Sequence, residues 1–113
     1  MKVAFNSIGE HLVTFASNGV NKGEPVKVSA AGTVSPCSAG DVFDGAAVDV
    51  RGGYASVALD GFVTLPYTGT APGIGHVTLA ADGSGGVKTA ASGGRTVLAV
   101  DVDTAAKTVC FKL

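Results

Sequence analysis

The sequence predicts an all-β fold, a small single-domain β-barrel or sandwich of short antiparallel strands with an N-terminal arm. Three observations carry that expectation. Apolar residues recur with period two, and no stretch shows the i, i+3, i+4 spacing of an amphipathic helix. About nine such runs follow one another at roughly ten-residue spacing, the rhythm of sandwiches and barrels. Glycine, 17 of 113 residues, falls mainly between the runs, where turns need it.

The elements follow in order. "HLVTFA" (11–16) alternates as a strand. Pro25-Val26-Lys27-Val28 is a short strand, Ala31-Gly32 its turn and Thr33-Val34 the return. "VFDGAAVDV" (42–50) is a longer strand, and Gly45 inside it signals a bulge or a close backbone approach. "RGG" (51–53) reads as a three-residue turn. "YASVAL" (54–59) and "FVTLP" (62–66) flank Asp60-Gly61, a dipeptide favoured in type I′ hairpin turns. Alternate residues from Tyr54 to Leu65 are then expected to fill the core. "YTGTAPGIG" (67–75) is a glycine-rich loop, "HVTLA" and "VKTA" flank "ADGSGG" as a wider hairpin, and "RTVLAVDV" with "KTVCFKL" closes the chain as another. In that last hairpin Val97, Ala99, Val109 and Phe111 are assigned to one side, while Asp101 and Asp103 share a face turned to solvent. Single turns are expected near 36–41 and 103–106. Residues 1–22 are set apart as the arm and first strand, and 23–113 as the barrel or sandwich core, one domain overall.

Composition narrows the function classes. A 113-residue chain suffices for one core without a disulfide or metal staple. Charged residues are 15% of the chain against 46% hydrophobic, well below the roughly 25% charge of an average domain. With so few charges to spread, part of the surface is expected to meet protein rather than water. A net charge of −1 with no basic stripe speaks against nucleic-acid binding, and there is no polybasic run for a membrane surface. The start "MKVAFNSIGEHLV" lacks the long apolar run of a signal peptide, so synthesis in the cytoplasm and use without secretion by that route are expected. Cys37 and Cys110 form neither a disulfide framework nor a metal knuckle and read as small buried thiols.

The chemical motifs are thin. "GSGGVKT" (83–89) is a loose echo of a phosphate loop, but Val87 separates Gly86 from Lys88 and no helix follows. His11 and His76 stand singly, without metal-ligand spacing. Asp41, Asp44, Asp49 and Asp60 are close in sequence but sit at strand starts and turns rather than in any calcium-loop pattern. No Gly-x-Ser-x-Gly elbow occurs, and neither Cys37 nor Cys110 has an assigned base. No catalytic residue, cofactor or metal is assigned, and a non-enzymatic role is expected.

The strand and glycine layout resembles that of small phage capsid decoration, or cement, proteins. A "G-x-x-V-x-V…G-x-V" opening corresponds to Gly23–Val34, an "F-x-G-x-A/V" strand to Phe43–Val48, and a "V-x-x-x-G-x-x-x-L" segment to Val57–Leu65. The "G-x-x-x-L-x-x-D/G-x-G-G-V" piece corresponds to Gly75–Val87, and the β ending to Val97–Leu113, so the likeness covers residues 20–113. It implies a non-enzymatic virion protein on the outer surface of the head, with the major capsid protein as partner and a homotrimer as its assembled form. Such a protein stabilises the lattice by binding the assembled state in preference to free subunits. On that reading Met1, Lys2, Val3, Ala4 and Phe5 are the candidate capsid contact, as a strand that adds to a neighbour's edge. Phe62, Tyr67, Pro72 and Ile74 are the candidate subunit interface. Another phage structural module (a head-fibre base, tail-tube or baseplate piece) is the alternative, ahead of a small-ligand or carbohydrate module, which the absence of Trp disfavours.

Overall fold

The computed structural model describes residues 11–113, and for His11 the backbone alone. Those residues form strands β1 (His11–Ser17), β2 (Pro25–Ala30), β3 (Thr33–Pro36), β4 (Gly45–Arg51) and β5 (Tyr54–Asp60), followed by β6 (Phe62–Pro66), β7 (Gly75–Ala81), β8 (Val87–Thr89), β9 (Arg95–Asp103) and β10 (Thr108–Lys112). The first five close into a barrel in the order β1-β3-β2-β4-β5, and the last five form a sheet in the order β6-β10-β9-β7-β8. The fold is therefore all-β, as the period-two pattern predicts. One barrel pair departs from the antiparallel expectation: β1 runs parallel to β3 through Ala16–Thr33 and Ser17–Val34.

Two clusters of buried side chains explain why barrel and sheet pack as they do. Val20, Val26, Val34, Ala47, Ala55 and Val57 fill the barrel. Val63, Leu65, Leu79, Val87, Val97, Val109 and Phe111 form the inner face of the second sheet, and Phe43, Ala46 and Ala58 meet them from the barrel side. Successive strand residues point to opposite faces. Ala46 and Ala47, like Val57 and Ala58, thus serve the two cores in turn, which is why both runs are buried without a polar alternate. Alanine on that shared wall lets the sheet approach closely, and Phe43 reaches across to Phe111 with ring centroids 5.8 Å apart and tilted by 58°.

Bulges adjust which face each residue takes. Val97, Ala99, Asp101 and Asp103 would share one face under strict alternation, so the expected burial of the first two and exposure of the last two conflict. The β9–β10 register resolves this: Cys110 pairs with Asp101 and Phe111 with Ala99, leaving Val100 as an extra residue. The strand is rotated past that point, as bulges do. Ala99 points inward, and Asp101 and Asp103 point out. Gly45 answers to close approach: a Cβ there would lie 2.5 Å from the Ala58 carbonyl oxygen and 2.8 Å from Val57 Cγ1.

Several local expectations are corrected. Asp60-Gly61 does not make a hairpin. β5 pairs with β1 and β4, and β6 pairs with β10, so this dipeptide carries the chain from the barrel to the second sheet. Gly61 has φ of 90°, while the only non-glycine with positive φ among the described residues is Lys107, so the two positive φ values of a type I′ turn are absent. The type I′ geometry instead occurs at Gly52-Gly53, with φ of 56° and 83°, and Arg51 pairs directly with Tyr54. The "RGG" turn thus has two residues rather than three. Tyr54, assigned to the core, is 61% exposed. The first strand, β1, is a wall of the barrel, paired with β5 at six registered positions.

Barrel and sheet are further tied by the segment between β3 and β4. Gly40 N–H donates to the Ala81 carbonyl at 2.8 Å, and Ala81 N–H donates back to the Asp41 carbonyl at 3.0 Å. Arg95 Nη1 donates to the Asp44 carbonyl at 2.7 Å.

Candidate contact surface

The expected interface residues are split by the fold. Tyr67 is only 4% exposed and belongs to the core of the second sheet. Its position follows from the backbone: Tyr67 forms a parallel bridge with Val87, bringing the end of one edge strand beside the start of the other. Its N–H donates to the Lys107 carbonyl at 3.0 Å. Pro72 is buried as well. Neither is free to anchor another subunit. Ile74, in contrast, is 67% exposed, and Phe62 is half-buried beside a cleft. The candidate capsid contact, Met1 to Phe5, lies outside the described residues.

Exposed large apolar side chains also occur at Leu12, Val28, Val42 and Tyr54. Period-two counting misses most of them, because an exposed valine on a strand looks the same in sequence as a buried one. Only the pairing partner and the bulge positions decide which side faces out.

The cleft at Phe62 has a volume of about 580 Å³ and lies along the seam of barrel and sheet. Lys22 and Ala46–Val48 line one wall, and Phe62, Thr64, Cys110, Asp101 and Asp103 the other. Asp103 Oδ1 accepts from the N–H groups of Ala105 and Ala106, both at 3.0 Å, and so caps the turn into β10. Asp101 has no ion-pair partner among the described residues.

The other acidic side chains among the described residues have partners within the fold. Asp41 Oδ2 accepts from Lys27 Nζ at 2.7 Å and from the Ser38 N–H at 2.9 Å. The lysine hydrogen bond, followed by the Ser38 N–H, holds the Asp41 carboxyl below its ordinary range, and the same pairing raises Lys27. Asp44 Oδ2 accepts from the Val28 N–H at 2.8 Å, Asp49 pairs with Arg51 at 3.1 Å, and Asp60 with Lys112 at 3.3 Å. In the "GSGG" loop, Asp82 Oδ1 accepts from Ser84 and Gly86 N–H at 2.7 and 3.0 Å. The donors that would surround a phosphate are already occupied by the chain's own carboxylate.

Neither cysteine is set up as a thiolate. Burial, then the nearby Asp41 charge, pushes the Cys37 thiol up to about 11, so at neutral pH it is protonated. Cys110 is 7% exposed on β10. His76 is exposed on β7, and among the described residues no three His, Cys, Asp or Glu side chains are grouped to hold a metal ion. What the described surface offers chemically is exposed apolar side chains beside hydrogen-bonding groups. No protein-family model matches the chain, and a search of the curated proteins finds no match to it.

Proposed function

We propose that this chain is a non-enzymatic virion protein that binds the outer surface of an assembled phage head and stabilises its lattice. The observation that carries the reading is the surface. A rigid all-β body with only 15% charged residues leaves Leu12, Val28, Val42, Tyr54 and Ile74 exposed on several sides. Scattered exposed apolar groups are ordinary one by one, but five on a chain this small and this poor in charge suit a protein that is covered by neighbours. The strand and glycine layout adds the resemblance to cement proteins.

In this reading many identical copies each contribute a modest contact, and the lattice gains through their number. Binding the assembled lattice and not its free subunits shifts the equilibrium toward the intact head. Ile74 and Phe62 remain as candidate interface residues between copies, and Met1 to Phe5 as the candidate contact to the major capsid protein. The mass of the purified chain in solution tests the trimer: a monomer at all accessible concentrations removes it.

The function itself is tested with expanded heads of the phage whose genome encodes the chain. Added protein is expected to bind saturably, at an integer number of copies per lattice unit, and to raise the temperature at which the heads break. Heads that take up no protein overturn the reading. Density for the chain on a tail tube or baseplate gives the same surface physics to the alternative phage module.

A further inference from the structure

Asn18-Gly19 stands where the chain leaves β1, and of the chain's asparagines only Asn18 precedes a glycine. Both residues are exposed. Gly19 has φ of 80°, with nothing within 4 Å of the place a Cβ would occupy, so no side chain shields its peptide nitrogen. Among the described residues, neither the Asn18 side-chain amide nor the Gly19 N–H has a hydrogen-bond partner. The bonds lie to either side: Asn18 N–H donates to the Val34 carbonyl at 2.9 Å, and Val20 N–H to Ser17 Oγ at 3.2 Å. An amide carbon and a peptide nitrogen that can attack it are thus neighbours in water, and the fold ties up neither.

We propose that Asn18 is a site of spontaneous deamidation, and that its isoaspartyl product loosens the closure of the barrel. The Gly19 peptide nitrogen loses its proton to hydroxide and bonds to Asn18 Cγ. The Cγ–Nδ2 bond breaks, and ammonia leaves with a proton taken from water. Water then opens the cyclic imide. Addition at Cγ gives aspartate on the ordinary main chain. Addition at the Asn18 main-chain carbonyl carbon gives isoaspartate, whose main chain runs through Cγ and is one methylene longer. Either product carries one added negative charge, and nothing is oxidised or reduced.

The extra methylene falls at a short seam. β1 meets β3 at two registered pairs, Ala16–Thr33 and Ser17–Val34. Ala16 N–H donates to the Gly32 carbonyl and Asn18 N–H to the Val34 carbonyl, both at 2.9 Å. Two residues past Asn18, Val20 is buried in the barrel core. A longer main chain at residue 18 puts the Val34 bond and the seat of Val20 out of step, and a two-pair seam has little else to hold it.

The test incubates the full chain in mildly alkaline buffer made with heavy-oxygen water, followed by digestion and mass mapping. Asn18 is expected to convert to aspartate and isoaspartate, each with one heavy oxygen. Conversion should quicken as pH rises and run ahead of Asn21, which precedes Lys22. Asn18→Gln, whose amide would have to close a larger ring, is expected to stay unconverted over the same period. Hydrogen exchange of the separated products reads the seam. The amides of Ala16 and residue 18 should lose protection in the isoaspartyl form and keep it in Asn18→Asp, which has the charge without the methylene.

An Asn18 that stays intact in the native chain overturns the site, and its conversion in urea would then show that the fold shields it. Conversion of Asn21 at the same rate, or of Asn18 at a rate indifferent to pH, also overturns it. An isoaspartyl form with native protection at Ala16 overturns the loosening of the seam. So does an equal loss in Asn18→Asp, which would assign the effect to charge.

Discussion

At the scale of single residues, the pairing of Lys27 with Asp41 fastens the loop before β4 to the barrel wall at 2.7 Å. Both side chains are about a third exposed, so the pair is screened and its contribution to stability is modest. Its pH dependence is nevertheless defined. Asp41 titrates below its ordinary 3.8 when folded, so its contribution is present above that value and is lost as pH falls through the folded pKa. Lys27 titrates above its ordinary 10.5 when folded, so its contribution is full below that value and is lost as pH rises through the folded pKa. Asp41→Asn is therefore expected to lower the melting temperature by a constant small amount between about pH 5 and pH 9, with the gap to the native chain closing in acid. Melting curves at several pH values check it, and a gap that widens in acid is the opposite result. This pair was not legible in the sequence. Lys27 lies on a strand and Asp41 in a loop, and only the fold brings them together. The cores were more legible: Val97, Ala99, Val109 and Phe111 are all buried, as their alternation requires.

At the scale of elements, turns show where local sequence does and does not decide. Asp60-Gly61 has the composition of a hairpin turn, but the strands on either side have other partners available, and tertiary pairing overrides the local preference. Gly52-Gly53 carries the same information in a weaker-looking form, because two glycines permit the type I′ turn without specifying it. That difference yields a prediction. Gly52 has φ of 56° with open space at its Cβ position, a geometry that asparagine tolerates and β-branched residues do not. Gly52→Asn is expected to be neutral or to stabilise by up to about 0.5 kcal/mol by restricting the unfolded chain. Gly52→Val is expected to cost about 1–2 kcal/mol from the left-handed backbone. Urea midpoints of the two variants check the pair, and a larger loss from the asparagine than from the valine contradicts the turn assignment. The exposed face was the least legible element property. Bulges at His11/Leu12, Val28/Ala30, Ala47/Asp49 and Cys110/Phe111 each shift the alternation by one residue, and no turn signal in the sequence marks them.

At the scale of the whole molecule, barrel and second sheet share one wall, and this bears on how the protein resists load. Phe43 sits between the two cores without belonging to a strand; it is fully buried and packs on Phe111. Around it, the Gly40–Ala81 and Ala81–Asp41 hydrogen bonds and the Arg95 contact to the Asp44 carbonyl cross the same seam. Ala46 and Ala58 cannot lose the sheet without exposing apolar side chains that are buried at the seam. Barrel and sheet should therefore unfold as one cooperative unit despite having separate cores. Phe43→Ala removes the ring that spans the seam and is expected to cost about 3–5 kcal/mol, the range for a large aromatic in a packed core. The loss should appear equally on both sides. Native-state hydrogen exchange reads it directly, with the amides of Val57 in the barrel and Val97 in the sheet losing the same free energy of protection in the variant. If Val97 loses protection while Val57 keeps it, the barrel is an independent folding unit, and the seam is a hinge rather than a shared core. For a protein proposed to hold a lattice together the distinction matters, because a hinge yields under tension where a shared core transmits it.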